Sequence, residues 1–145
     1  MSITRFTVRV YGLLLNEKQQ LLVTDELFDN QYLTKLPGGG VEFGEGTIDA
    51  LHREFDEECA CPIEVLTHIY TTDFFIQSIF SPNTQVLCVY YRIQAPPNFV
   101  FLNKPLATHL LPQIVFRWVD ISTINPHFFR LESDNRAVQT LLQQM

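Results

Sequence analysis

Three glutamates stand close together in this 145-residue chain, at Glu54, Glu57 and Glu58. A helix places all three on one face, because residues three and four apart are neighbours there. Each like-charged pair at that spacing destabilises a helix by about 0.2–0.5 kcal/mol. A hard divalent cation such as Mg²⁺ reverses the penalty, since it takes carboxylate and phosphate oxygens as ligands. The spacing alone fits a metal site and a solvated acidic face equally well.

A glycine-rich segment precedes the three glutamates, with Pro37 followed by glycines at 38–40. Repeated glycine costs backbone entropy and packs no side chain, so we expect a turn there and no strand interior. Such a turn lets the backbone pass close to a ligand. Thr47 is a suitable N-cap for the helix that follows. The expected buried stripe of that helix is Ile48, Leu51, Phe55 and Cys59, with His52 and Asp56 in solvent.

The stretch 39–61 resembles the Nudix box, a motif of glycine, glutamate and an Arg-Glu-apolar-x-Glu-Glu run at fixed gaps. The residues in register are Gly39, Glu45, Arg53, Glu54, Phe55, Glu57 and Glu58. The match departs at its end, where Ala60 replaces the final glycine of the motif and Cys61 the apolar residue after it. Glycine suits a left-handed helix end. With alanine there, we expect the helix to stop differently, because Pro62 forces Cys61 into extended geometry.

The resemblance implies an α/β fold, the Nudix α/β/α sandwich with a mixed β-sheet between helices, as a single domain over residues 1–145. It implies metal-dependent hydrolysis of a diphosphate linkage in a nucleoside diphosphate joined to another moiety. Nucleotide sugars, ADP-ribose and nucleoside triphosphates all belong to that class. The implied ligands of Mg²⁺, or of Mn²⁺, are Glu54, Glu57, Glu58 and the carbonyl of Gly38. The implied catalytic residues are Glu54 as general base, with Arg53 paired to Glu45 to orient the carboxylates.

Residues for the rest of the substrate are less specific. Tyr32 and Lys35, with Gly39 and Gly40, are expected to line the nucleotide side of a cleft. No Asp or Glu occurs from 74 to 119, so a distal metal ligand or base must come from elsewhere. Asp73 and Glu132 flank that gap, but a strand end and a helix cap explain them better. The same region is aromatic, and most of those rings fit a core or an interface.

Composition bounds the remaining possibilities. A net charge of −6 argues against a basic nucleic-acid surface, and 46% hydrophobic residues suffice for one core. No run is apolar enough for a membrane span or a signal peptide. The three cysteines then indicate reduced thiols in the cytoplasm. Two alternatives stay open beside the enzyme. One is a non-catalytic domain that binds or senses a nucleotide, and the other is a scaffold or homodimer using Pro96, Pro97 and the apolar 99–116 region.

Alternating patterns predict the elements that must position the box. Strands are expected near Phe6–Leu15, Leu21–Glu26, Ile63–Asp73, Gln85–Ile93 and Ile114–Val119. A polar turn at 16–19 suggests that the first two strands form a hairpin. Residues 132–134 are expected to cap a last helix, whose apolar side chains are Ala137, Val138, Leu141 and Leu142.

Overall fold

A computed structural model describes residues 2–101, 104–105 and 112–145 of the chain. Its strands are β1 (Arg5–Leu14), β2 (Gln20–Phe28), β3 (Gln31–Lys35), β4 (Gly38–Gly40), β5 (Glu64–Thr71), β6 (Thr84–Gln94), β7 (Lys104–Pro105) and β8 (Pro112–Asp120). Its helices are α1 (Thr47–Cys59), a short 3₁₀ turn (Ile121–Thr123) and α2 (Glu132–Gln143). The five predicted strands are present with slightly shifted ends, and both predicted helices are present. Strands β3, β4 and β7 were not predicted.

The strands form two sheets of four, in the orders β4-β1-β6-β5 and β3-β2-β8-β7. Strands β1 and β6 run parallel, from Arg5 beside Thr84 to Leu14 beside Ile93. All other named pairs are antiparallel. The first sheet is therefore mixed, as expected.

Alternate residues of β1 face two different helices. Tyr11 and Leu13 belong to a buried cluster that includes Ala137, Val138 and Leu141 of α2. Val10 and Leu14 belong to a second cluster that includes Ala50, Leu51 and Phe55 of α1. Because successive side chains of a strand point to opposite faces, the sheet is covered on both sides. This confirms the α/β/α sandwich.

The glycine triplet forms strand β4, which corrects the expectation of a turn. Its residues pair antiparallel with Arg9, Val10 and Tyr11 at the edge of the first sheet. An edge strand needs only its backbone to pair, so the missing side chains do not prevent it. Gly38 has φ +152°, and a Cβ there would lie 2.0 Å from the carbonyl oxygen of Val10. Only glycine fits at that position.

The predicted hairpin of β1 and β2 is closed only at its base. Asn16 builds the turn, since its side-chain oxygen accepts from the backbone N–H groups of Lys18 and Gln20 at 2.9 and 3.0 Å. Leu15 and Leu21 form one antiparallel bridge. Beyond it the two strands separate into different sheets, because each has a longer partner in β6 or β8.

Both ends of α1 differ from expectation. The N-cap is Gly46, whose N–H donates to the Asp49 carboxylate at 3.1 Å, and the Thr47 hydroxyl instead contacts the Tyr91 hydroxyl at 2.7 Å. Ala60 takes the left-handed conformation itself (φ 53°, ψ 35°), and its N–H donates to the carbonyl of Asp56. The expectation of a different helix end was wrong. The helix keeps the ending that favours glycine although the residue is alanine.

The buried stripe of α1 is Ala50, Leu51, Phe55 and Cys59. Ile48 was expected in it but is exposed, and Ala50, two positions further on, is buried in its place. His52 and Asp56 are exposed as expected. The three cysteines are free and buried. No helix among the described residues has the length and apolar character to cross a membrane.

Candidate active site

Arg53 is the centre of the acidic cluster. Its Nε and one Nη donate to both carboxylate oxygens of Glu45, at 2.6 and 2.9 Å. The other Nη donates to Glu54 at 3.0 Å and to Glu57 at 3.3 Å. These charge-assisted bonds hold the pKa of Glu45 down at about 2 and raise the pKa of Arg53. One guanidinium thus fixes three carboxylates, and the pairing with Glu45 is the one that the sequence led us to expect.

Glu54 is held between α1 and the glycine strand. Its side chain is only 15% exposed. A Cβ built on Gly39 would lie 2.4–2.6 Å from the Glu54 carboxylate atoms. The absence of a side chain at Gly39 therefore creates the space that the carboxylate occupies. The box glycine is required here for a steric reason, and no special backbone angle is involved.

Glu58 lies next to Glu54 in partly buried surroundings. Burial, with the nearby negative charges of Glu54 and Glu26, raises the pKa of Glu58 to about 8, and the Lys35 ammonium opposes that rise. Burial is the largest cause of that rise. The repulsion from Glu54 adds to it, and that repulsion is the part that the spacing of the glutamates suggested.

Backbone oxygens of β4 are directed toward the same place. The N–H of Gly12 donates to the carbonyl of Pro37, and that of Val41 to the carbonyl of Val8. Antiparallel pairing alternates, so the carbonyls of Gly38 and Gly40 fall at positions outside the β1 ladder. That of Gly40 accepts from Arg53 at 2.9 Å. The Gly38 carbonyl lies one step along the same edge, where the resemblance placed a metal ligand.

The donor set fits a hard cation in its chemistry, because every candidate ligand is an oxygen. Among the described residues, no group of three His, Cys, Asp or Glu side chains is already arranged to hold a metal ion. The side chain of Glu57 is 58% exposed and contacts Arg53 at 3.3 Å. Metal binding would then require Glu57 to exchange part of its contact with Arg53 for the cation.

Lys35 and Tyr32 do not line a common cleft wall. Lys35 is 1% exposed, and its ammonium contacts Glu26 at 3.2 Å and the Leu36 carbonyl at 3.1 Å. Tyr32 is 43% exposed. An odd number of positions separates them on β3, so their side chains point to opposite faces. The expectation that Lys35 faces substrate directly is therefore wrong, and its charge acts from beneath Glu58.

Several buried polar residues were missed by sequence reasoning. Asp134, expected as part of a helix cap, is fully buried and accepts from the Tyr90 hydroxyl at 2.6 Å and the Leu36 N–H at 3.1 Å. Arg9 of β1 is partly buried beside Phe80. No local signal distinguishes either residue, because the partners of Asp134 and the ring of Phe80 beside Arg9 are distant in sequence.

The acid-free region supplies no carboxylate, and its two flanking acids do not replace one. Asp73 is exposed, while Glu132 pairs with Arg136 at 3.2 Å within α2. Tyr90 is buried and Phe75 is exposed, whereas Phe99 and Phe101 pack with Phe116 and Trp118. Part of the expected interface region 99–116, at residues 102–103 and 106–111, lies outside the described residues.

Comparison with known proteins agrees with this geometry. A family model described as the NUDIX domain matches residues 5–139. An RNA pyrophosphohydrolase from Ruthia magnifica subsp. Calyptogena magnifica is 35% identical over 65 residues. That match covers 45% of this chain and 35% of the relative, so this chain spans about a third of the relative's length.

Solved structures match over nearly the whole chain. A NUDIX hydrolase from Nitrosomonas europaea has a TM-score of 0.71 at 20% identity, over 95% of this chain and 89% of that one. The E. coli dihydroneopterin triphosphate pyrophosphohydrolase has a TM-score of 0.68 at 14% identity, over 98% and 100%. At such identities the likeness concerns the fold.

Proposed function

The chain belongs to the Nudix hydrolase family, and we propose that its α1 glutamates bind Mg²⁺ or Mn²⁺ and cleave a nucleotide-derived diphosphate linkage. One observation carries this proposal. Glu54, held next to Gly39 and bonded to Arg53, is the least exposed carboxylate of the cluster bonded to that arginine. The strand in front of Glu54 is β4, whose three glycines present only backbone atoms.

The residues of the chain have separate tasks in this proposal. Glu54 takes the proton from the attacking water. Arg53 is a positioning residue, because its bonds to Glu45 and Gly40 fix the plane in which it presents Glu54 and Glu57. Glu57, Glu58 and the Gly38 carbonyl supply further oxygens. Holding a reacting group in such a geometry is a major source of rate enhancement.

A divalent cation bound by Glu54, Glu57 and Glu58 would neutralise the diphosphate and polarise its phosphoryl oxygens. It would also relieve the repulsion between Glu54 and Glu58. Lys35, buried below them, supplies one positive charge that is already part of the fold. It does not replace the cation, because its ammonium is already bonded to Glu26 and to the Leu36 carbonyl.

A substrate panel with Mg²⁺ or Mn²⁺ tests the proposal. It contains nucleoside triphosphates, ADP-ribose, nucleotide sugars, dinucleotides, dihydroneopterin triphosphate and a 5′-triphosphate RNA oligonucleotide. We expect metal-dependent cleavage of the diphosphate linkage in at least one member. That cleavage releases pyrophosphate from a triphosphate, and two phosphate monoesters from ADP-ribose or a nucleotide sugar. Glu54→Gln should reduce kcat by roughly 10²–10⁴-fold, the usual contribution of a general base, and Glu57→Gln/Glu58→Gln should abolish the metal-dependent turnover.

The matched control is Asp56→Asn, on the same helix but exposed on another face, which should leave turnover unchanged. Equal losses in Asp56→Asn and Glu54→Gln would contradict the assigned role of Glu54. Tight nucleotide binding without turnover of any panel member would instead favour a domain that senses nucleotides.

A further inference from the structure

Among the described residues, Arg9 has no acidic partner in direct contact. It is partly buried, and its Nε donates to the hydroxyl of Tyr11. Within the described part of the chain, no hydrogen bond or ion pair is recorded for its two Nη atoms. No buried side-chain nitrogen of the described residues lacks a hydrogen-bond partner, so these Nη atoms are open to solvent and to a ligand. An arginine kept in that state suits an anion that arrives with a ligand.

The surroundings of Arg9 form a small open cavity of about 190 Å³. Its walls include two arginines, three hydroxyl side chains and an aromatic ring, namely Arg5, Arg9, Thr7, Ser81, Thr84 and Phe80. The guanidinium of Arg9 stacks 4.9 Å from the centroid of Phe80, whose ring is held edge-on by Phe28 at 5.1 Å. This fixes the plane of the guanidinium. The volume is below the 300–1,000 Å³ typical of complete ligand sites, so it suits one group of a larger ligand.

Arg9 of the cavity and Glu54 of the acidic cluster both approach strand β4, from its two faces. Gly39 and Gly40 are consecutive in β4, so their absent side chains would point to opposite faces. The side of Gly39 is filled by Glu54, and a Cβ on Gly40 would lie 4.0 Å from Nη1 of Arg9. Strand β4 is an edge strand without side chains. A phosphate chain lying along that edge can contact both the cluster and Arg9.

We propose that Arg9 binds a phosphate of the substrate beyond the two joined by the cleaved bond, so that the substrates are triphosphates. This inference rests on the proposed function, which assigns the two phosphates of the scissile bond to the acidic cluster and its cation. A guanidinium recognises phosphate through parallel N–H···O bonds. Diphosphate sugars offer no third phosphate at this position.

Binding of inorganic polyphosphates tests the inference without turnover. Dissociation constants of tripolyphosphate and pyrophosphate are measured by calorimetry with Mg²⁺ for wild type, Arg9→Gln and Arg9→Lys. We expect Arg9→Gln to weaken the binding of tripolyphosphate by roughly 10- to 100-fold, which corresponds to the loss of a hydrogen bond to a charged group. Pyrophosphate should keep its affinity. Arg9→Lys should lie between, because it keeps the charge but loses the planar fork.

Arg136→Gln is the matched control. That arginine also stacks on a phenylalanine, 4.0 Å from the centroid of Phe74, but it is exposed and paired with Glu132. It should change neither affinity. Equal weakening of both polyphosphates in the Arg9 variants, or of neither, would overturn the inference. If the panel shows no hydrolysis while the tripolyphosphate effect persists, the proposed function alone fails. If thermal melting shows that Arg9→Gln is unfolded, the tripolyphosphate and pyrophosphate affinities of Arg9→Lys decide the question.

Discussion

At the scale of single residues, the three glycines of β4 have three different reasons to be glycine. A Cβ on Gly38 would meet backbone, one on Gly39 would meet the flexible end of Glu54, and one on Gly40 would meet only the tip of Arg9 in ordinary contact. Of the three glycines, only Gly39 belongs to the motif. Gly38 is constrained by the backbone of β1, whereas the space around Gly40 is open.

Alanine substitutions should separate these reasons. Gly39→Ala forces the Glu54 carboxylate to move, and we expect Mn²⁺ affinity to fall by about 10- to 100-fold, as when a supporting group of a metal site is lost. The fold should survive, since only a side-chain tip is displaced. Titration calorimetry with Mn²⁺ and thermal melting measure the two effects.

Gly38→Ala and Gly40→Ala are the controls for that experiment. The first should lower the melting temperature, because the Cβ meets the Val10 carbonyl oxygen and the positive φ disfavours alanine. The second should keep both metal affinity and stability. Unchanged Mn²⁺ binding in Gly39→Ala would refute the steric role assigned to Gly39.

The sequence identified the residues of the box well, because their spacing is fixed along one helix and its preceding loop. Arg53 is separated from the carboxylates that it bonds by no more than 8 positions, and Gly39 meets Glu54 through a short connection. Asp134 and Arg9 escaped, since Asp134 bonds Leu36, 98 positions away. The alternating pattern of β1 predicts the face of the sheet on which Arg9 lies. It does not predict that Phe80 packs against Arg9 there.

At the scale of elements, the C-terminal end of α1 contains local backbone strain. Ala60 is left-handed with φ 53°, where a non-glycine residue costs roughly 1–2 kcal/mol. The sequence suggested that this cost would be avoided by a different ending. It was not, because the backbone N–H groups of Ala60 and Cys61 both bond carbonyls of the last turn.

Ala60→Gly should therefore stabilise the protein. The relief of the left-handed strain is partly offset by the greater freedom of glycine in the unfolded chain, about 0.5–1 kcal/mol. We expect a net gain of roughly 0.5–1 kcal/mol in the free energy of unfolding, measured by urea denaturation. Ala137→Gly, buried within right-handed α2, should have the opposite sign. A loss of stability in Ala60→Gly would show that the alanine methyl makes compensating contacts.

Strand β4 shows why some elements cannot be read locally. Glycine weakens a strand interior, so the local sequence argued against a strand at these residues. In the fold, its three residues are paired with β1 and enclosed by α1 on one side. Tertiary pairing overrides the propensity, whereas β1, β6 and α1 were predictable because their own apolar periodicity already encoded burial.

At the scale of the whole molecule, Asp134 joins three elements. It lies in α2, accepts from Tyr90 of β6, and accepts from the Leu36 N–H just before β4. Burial raises the pKa of Asp134, and the hydrogen bonds from Tyr90 and Leu36 oppose the rise. The second helix is thereby tied to the strand that carries the box glycines.

Tyr90→Phe should destabilise the fold by roughly 1–3 kcal/mol, because it leaves a buried carboxylate short of one donor. Tyr91→Phe, its neighbour on the opposite face of β6, loses only the contact with Thr47 and should cost less. Urea denaturation of both variants at neutral pH gives the comparison. Equal costs would mean that Asp134 does not depend on the Tyr90 hydroxyl.

The pH dependence of the same pair gives a sharper result. Without the Tyr90 hydroxyl, the pKa of Asp134 in the folded state rises further above its ordinary value of 3.8. The folded variant then binds more protons than the unfolded chain over a wider pH range than wild type does. Its free energy of unfolding therefore falls further as pH rises. The difference between wild type and Tyr90→Phe should be small below pH 3.8 and grow above it, through the raised pKa of the folded protein. For Tyr91→Phe the difference should stay constant, because Asp134 keeps its donor.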